Sequence, residues 1–256
     1  MKDKIILITG ASGEIGLNLI SHLSKNTNKK IIALDLKKYK KNLKIFKFIK
    51  GSILDKKLLS DISKKYIIED IYHLAAILST KAETNPQLAR DVNINGTLNI
   101  FQIGLYQNLN NKIITKIFFP SSIAVYHITK KNEDKKKRIK ENMFCNPKTV
   151  YGQQKLFCEN IGSAIAKYGN ETKLKIDFRC IRFPGIISTN SIPTGGTSDY
   201  APEMIHNAFK QKEYRCFVNK NSCLPFIVMP DAINAISSLM ARPLSPIIFL
   251  TTKSIA

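Results

Sequence analysis

The sequence predicts a parallel, doubly wound α/β sheet, and three observations carry that prediction. Short apolar runs recur along the chain and stop at a glycine, an aspartate or a serine pair: Lys4–Thr9 before Gly10, Ile31–Leu34 before Asp35, Lys116–Pro120 before Ser121. Between them lie stretches whose apolar residues return at helical spacing. Strand and helix alternate, and consecutive parallel strands need a crossover long enough to hold a helix.

Taken in order, Lys4–Thr9 is a continuous apolar run and predicts a buried first strand. Ile15, Leu19, Ile20 and Leu23 share one face of a following helix. Ile31–Leu34 is the second strand and Phe46–Ile49 the third, with a helix over Leu58–Tyr66. Ile71–Leu74 predicts the fourth strand, followed by Ala75-Ala76 and one long helix over Leu88–Leu105. Lys116–Pro120 is the fifth strand, Tyr151–Tyr168 a helix, and Lys175–Phe183 a sixth strand stopped by Pro184-Gly185. Beyond Pro184 the pattern loosens, with Gly, Pro, Ser and Thr concentrated between Ser188 and Ser198, until Ile247–Thr251, which is strand-like. We expect a dinucleotide-binding domain over 1–183 and a small substrate lobe over 184–256.

Length and composition bound the answer. A chain of 256 residues has room for one sizeable domain, or a domain plus a small lobe. With 44% hydrophobic and 23% charged residues it has the balance of a soluble globular protein. No apolar run approaches the ~20 residues of a membrane span, and the N-terminus lacks the order of a signal peptide, so a cytoplasmic protein is expected. The five cysteines are scattered and, like the four histidines, show no metal-ligand spacing, so no metal is expected. The net charge of +21 would normally raise nucleic-acid binding. Here the lysines are spread along the chain, and the densest run, Lys130–Lys140, also holds Glu133 and Asp134. That run predicts a solvated loop, and neither nucleic acid nor membrane is an expected partner.

Two constellations carry chemistry. Gly10-Ala11-Ser12-Gly13-Glu14-Ile15-Gly16 leaves a strand and opens a helix. Such a turn brings backbone N–H groups and a helix N-terminus against a pyrophosphate, the signature of a Rossmann-type nucleotide site. Asp35 closes the second strand, where a carboxylate would accept the adenosine ribose hydroxyls. It would repel a 2′-phosphate, so NAD is expected rather than NADP, although Lys37 and Lys38 close behind weaken that preference. The second constellation is Tyr151-Gly152-Gln153-Gln154-Lys155, a phenol and an ammonium four residues apart on one helix face. Ser121-Ser122 ends the fifth strand, where a parallel sheet places its ligands. An ammonium beside a phenol favours the phenolate, a base able to take the proton of a substrate alcohol while hydride leaves for NAD.

These residues, with His73-Leu74-Ala75-Ala76 and Ser121-Ser122-Ile123-Ala124-Val125-Tyr126, resemble the extended short-chain dehydrogenases, which include sugar-nucleotide epimerases. Ile77-Leu78-Ser79, Arg182-Phe183-Pro184-Gly185-Ile186-Ile187-Ser188, Gly195-Gly196-Thr197-Ser198-Asp199-Tyr200-Ala201, and Leu224-Pro225 with Met229-Pro230-Asp231-Ala232 are similar to the short-chain-type L-threonine 3-dehydrogenases. That resemblance implies oxidation of L-threonine at its 3-hydroxyl to 2-amino-3-oxobutanoate with reduction of NAD. It makes Tyr151 the base, Lys155 its tuner and ribose anchor, and Ser122 the hydroxyl holder, with Ser121 the alternative. It places Ser79, Gly185 and Thr197 against the substrate. Leu36, Leu74, Ala75, Ala76, Pro184 and Ile187 join Gly10, Gly13, Glu14, Ile15, Gly16 and Asp35 along the cofactor. Asn93 braces the strand–helix junction beside it. Ser52 and Ile53 stand where the family usually has an aspartate on adenine.

The resemblance also implies a homodimer. The family continues for some tens of residues past Ala256, so the C-terminal lobe is expected to be incomplete. A sugar-nucleotide epimerase or dehydratase is the alternative on the same fold, although the asparagine expected after the aromatic is here Pro184. A catalytically weak NAD-binding protein is the third reading.

Overall fold

The computed structural model describes residues 2–38, 42–128, 139–172, 174–188, 196, 198–244 and 247–251. Strand β1 (Lys4–Thr9) leads through α1 (Glu14–Asn26) to β2 (Lys30–Asp35) and β3 (Lys47–Lys50), then α2 (Lys56–Lys65) and β4 (Ile67–His73). Two short helices, α3 (Ser79–Thr84) and α4 (Pro86–Arg90), and a π-helical turn (Asp91–Asn95) precede α5 (Gly96–Asn111) and β5 (Lys116–Ser122). Helix α6 (Val150–Thr172) and β6 (Asp177–Phe183) follow, then β7 (Gly185–Ile187), α7 (Tyr200–Phe209), β8 (Phe226–Val228), α8 (Met229–Ala241) and β9 (Ile247–Thr251).

The main sheet has the order β3-β2-β1-β4-β5-β6-β9, and all its strands are parallel. Side chains of a strand alternate between faces, and both faces here are covered. Ile5 and Leu7 of β1 join Ile32, Phe101 and Phe178 under α2, α5 and α6. Ile6 and Ile8 join Ile31, Phe118 and Ile181 under α1 and α8. This explains why β1 is apolar without alternation, and why β6, buried along its whole length, keeps its charges Asp177, Arg179 and Arg182 in buried pairs. Each fully buried Ile or Phe contributes roughly 1.5–3 kcal/mol relative to exposure.

Several elements depart from the sequence reading. β4 begins at Ile67 rather than Ile71. Glu69 and Asp70 hide its start, yet both are paired within the strand, Glu69 with Lys4 at 2.8 Å and Asp70 with Lys29 at 2.7 Å. The expected helix over 88–105 is present and longer, with helical backbone running unbroken from Pro86 to Asn111. Asn85 caps α4 by accepting the Leu88 N–H at 3.1 Å, and the π turn then inserts an extra residue before α5.

The boundary expected at residue 184 does not divide the packing, because the chain after it returns to the sheet. β9 pairs with β6, and α8 buries Ala232, Ile233, Ile236, Leu239 and Met240 on the α1 side. The C-terminal end of α8 is held from below the sheet. Buried Arg179 pairs with Asp177 at 2.7 Å and donates to the carbonyls of Leu239 and Pro243, while Lys116 donates to those of Met240 and Arg242. Cations at a helix C-terminus serve its orphan carbonyls and its dipole together. The parallel pair β7–β8 forms a second, two-stranded sheet apart from the main one.

Candidate active site

The strand order reverses between β1 and β4, and parallel sheets bind ligands at the carboxyl ends of the strands beside such a point. A cleft of about 520 Å³ opens there, lined by the glycine turn after β1, the segment after β4, the serine pair of β5, Tyr151 and Lys155 of α6, and Phe183-Pro184 after β6.

The glycine turn has physical reasons for its composition. Gly10 has φ +66°, and a Cβ there would lie 2.5 Å from the backbone nitrogen of Ala75. A Cβ on Gly16 would lie 2.6 Å from the carbonyl oxygen of Gly10, so only glycine lets α1 sit this close to the turn. Gly13 is the N-cap of α1 and supplies no side-chain acceptor. The first amides of α1 therefore border the cleft without a capping side chain, as a pyrophosphate requires. Asp35 Oδ2 accepts the Ser12 N–H at 2.9 Å and Oδ1 accepts the Lys37 N–H at 3.2 Å, so its carboxylate is held against the turn. This cradle fits a dinucleotide.

A buried hydrogen-bond chain lies beneath the cleft. His73 Nδ1 is 2.8 Å from Thr9 Oγ1, and its Nε2 is 2.9 Å from Thr97 Oγ1. Thr97 donates its hydroxyl hydrogen to the Asn93 carbonyl at 2.6 Å, so His73 Nε2 must be the donor to Thr97 and Nδ1 the acceptor from Thr9. Burial, with the nearby Lys155 charge, pushes the imidazole down to about 3, so it is neutral in the fold. Asn93 uses its whole amide: it accepts the Ile77 N–H at 2.7 Å and donates to the Ile77 carbonyl at 3.0 Å and to Gln154 Oε1 at 2.7 Å. It braces the junction after β4, as expected, but it is buried and does not line the cleft.

Lys155 is buried, with its Nζ donating to the Pro120 carbonyl at 2.7 Å. The ammonium lies 4.6 Å from the Phe119 ring centroid and 5.5 Å from that of Tyr151. Ser122 Oγ accepts the Ala124 N–H at 3.1 Å, which leaves its own hydroxyl hydrogen able to donate. Ser121 Oγ is buried in the cleft wall and has no hydrogen-bond partner among the described residues. Helix α6 is fastened to β6 by Glu159, which takes Arg182 in a two-point pair at 2.9 and 2.6 Å. Burial alone would lower the Arg182 pKa, but pairing with Glu159 and the bond to Tyr126 raise it.

The cleft gathers Gly10, Gly13, Glu14, Ile15, Gly16, Leu74, Ala76, Ser79, Ser121, Ser122, Tyr151, Lys155 and Pro184. Ala75, Gly185 and Ile187 do not line it. Within β7, alternation turns Gly185 and Ile187 away while Ile186 faces in, and Ala75 packs against the core. Gly185 instead lies under Phe226 of β8. Asp35 is one residue layer behind the lining, Leu36 is exposed, and Ile53 is in the core beneath Gly96. Ser52 accepts the Leu54 N–H and is not in the wall. Thr197 lies outside the described residues. The sequence reading gave no site role to Leu17, Leu78, Pro120, Ala124, Pro202, Ser198 and Asp199, which are among the lining residues. The last two fall within the Gly195–Ala201 motif, which was the available signal.

Comparison with known proteins agrees with this geometry. The profile of the NAD dependent epimerase/dehydratase family matches residues 6–249. The mitochondrial L-threonine 3-dehydrogenase of Bos taurus is 33% identical over 241 residues, covering 93% of this chain. This chain spans 60% of the bovine protein's length. Among solved structures, a monomeric L-threonine 3-dehydrogenase from a metagenome, in its apo form, is 40% identical with a TM-score of 0.79, over 97% of this chain and 77% of the other. The L-threonine 3-dehydrogenase of Trypanosoma brucei is 32% identical with a TM-score of 0.81, over 96% and 74% respectively.

Proposed function

We propose that this chain, which belongs to the NAD dependent epimerase/dehydratase family, oxidises L-threonine at its 3-hydroxyl to 2-amino-3-oxobutanoate. The observation that carries the reading is that one cleft joins the glycine turn to Tyr151, Lys155 and Ser122. NAD held there would accept the hydride from the substrate carbon. The amides at the start of α1 hold its pyrophosphate, and Asp35 accepts ribose hydroxyls. Ser122 donates to the substrate oxygen and orients it. Tyr151, as phenolate, takes the hydroxyl proton, and the Lys155 ammonium stabilises that negative charge. Ser79, and Thr197 of the Gly195–Ala201 motif, would hold the amino-acid part of the substrate. The elements outside the main sheet, β7, β8 and α7, form the substrate lobe. The homodimer expected from the family belongs to the same proposal, and sedimentation decides it, since one similar solved structure is a monomer.

The test is the rise in NADH absorbance when the protein meets NAD and L-threonine, beside Tyr151→Phe. We expect NADH from the parent and a loss of about 10²–10⁴-fold in the variant. An absence of NADH although NAD binds would overturn the reading and point to an epimerase-type substrate, whose hydride returns to the sugar.

A further inference from the structure

The helix that starts at Ser79 and the helix that carries Tyr151 are joined by a carboxylate. Glu83 Oε1 accepts the backbone N–H of Tyr151 at 3.2 Å. Tyr151 lies in the first turn of α6, where an N–H has no acceptor within its own helix. Thr149 serves the next groups: its Oγ1 accepts the Gly152 N–H at 3.1 Å and its carbonyl the Gln153 N–H at 3.0 Å. Capping of α6 is therefore shared between the residue before it and a side chain of α3. A carboxylate also favours the positive end of a helix dipole.

Glu83 stands one helical turn after Ser79, so the two share a face of α3. Leu78 and Ser79, at the root of α3, line the cleft. The root is tied to α6 through Ile77, Asn93 and Gln154, and Gln154 immediately precedes Lys155. Six residues are too few for a helix to hold its own geometry in water. Helix α3 thus takes its position from α6 at two points, a buried one at its root and the exposed Glu83 near its tip.

We infer that Glu83 is a positioning residue, which fixes the span between Ser79 on the substrate side and the hydroxyl of Tyr151 by capping the catalytic helix. The role of Ser79 rests on the L-threonine reading above; the tie between α3 and α6 does not.

The test uses Glu83→Ala, which removes the acceptor at an exposed position, and Glu83→Gln, which keeps an oxygen acceptor. In Glu83→Ala we expect kcat/KM for L-threonine to fall about tenfold, since small misplacements of reacting groups cost this much or more. Both a lower kcat and a higher KM contribute, while the Kd for NAD stays unchanged. Glu83→Gln recovers most of the loss. In the same proteins, amide exchange at Tyr151 is expected to be about tenfold faster in Glu83→Ala and near the parent rate in Glu83→Gln. Parent-like kcat and KM in Glu83→Ala would overturn the inference. If the parent itself makes no NADH from L-threonine, the substrate reading fails, and an unchanged Tyr151 exchange rate in Glu83→Ala then overturns this inference separately.

Discussion

Lys155 is bonded, ammonium to carbonyl, to Pro120 at 2.7 Å, so a buried positive charge from α6 is fixed at the end of β5, next to the serine pair. Among the described residues it forms no ion pair. A buried cation of this kind costs stability and is retained for what it does. We expect Lys155→Met, which keeps the stem volume, to lower kcat by about 10²-fold or more while Tm holds or rises. Steady-state kinetics and thermal unfolding on one preparation check both halves. A fall in Tm with kcat intact would reverse the assignment.

Asp35 is held by two backbone N–H groups, those of Ser12 and Lys37, which fix its charge against the glycine turn. Replacing it by serine removes the charge that repels a 2′-phosphate and leaves Lys37 and Lys38 nearby. The expected outcome for Asp35→Ser is weaker NAD binding and a shift of preference toward NADP of about tenfold or more, roughly 1.4 kcal/mol. Titration with both dinucleotides measures it, and an unchanged preference ratio would remove Asp35 from the ribose site.

His73 sets a pH dependence of stability. Its folded pKa is pushed down to about 3 from 6.5, by burial first and by the Lys155 charge second. Between those values the unfolded chain binds the proton and the folded one does not. Its contribution is therefore complete above pH 6.5 and is lost as pH falls, at about 1.4 kcal/mol per unit. Between pH 6.5 and 5 the parent should lose about 2 kcal/mol more than a His73→Gln variant in urea unfolding. Parallel slopes for the two proteins would contradict this.

Glu159 and Arg182 form a two-point pair away from solvent, and Arg182 also donates to Tyr126 at 2.8 Å and to the Glu141 carbonyl at 2.6 Å. Removing only the acid leaves an unpaired buried guanidinium. Glu159→Leu is expected to destabilise by about 3–5 kcal/mol, and adding Arg182→Met should recover much of it. Urea midpoints of the single and double variants decide the matter: a double variant less stable than Glu159→Leu would refute the pairing argument.

Much of this molecule is legible in one dimension. β1 and β2 follow from apolar runs, because nearly every residue of each is buried, and the helix between them follows from its period, because only one face is buried. The glycine turn, Asp35, the serine pair and the Tyr151–Lys155 spacing are likewise readable, since each chemistry needs those residue types at those separations. Where charge interrupts a strand, as at Glu69 and Asp70, the pattern fails, because only their partners Lys4 and Lys29, distant in sequence, make the strand tolerable there.

The tertiary structure alone decided three things. It turned Ile186 rather than Gly185 or Ile187 into the cleft, because one residue of register selects a face. It returned α8 and β9 to the main sheet, held by Arg179 and Lys116, whose helix-capping role depends on carbonyls some sixty residues and more away. It also joined Glu83 to Tyr151 and Asn93 to Gln154, bonds between elements that are neighbours only once the sheet has formed. Composition and period describe what each segment buries; which segments meet is settled by the packing of the whole.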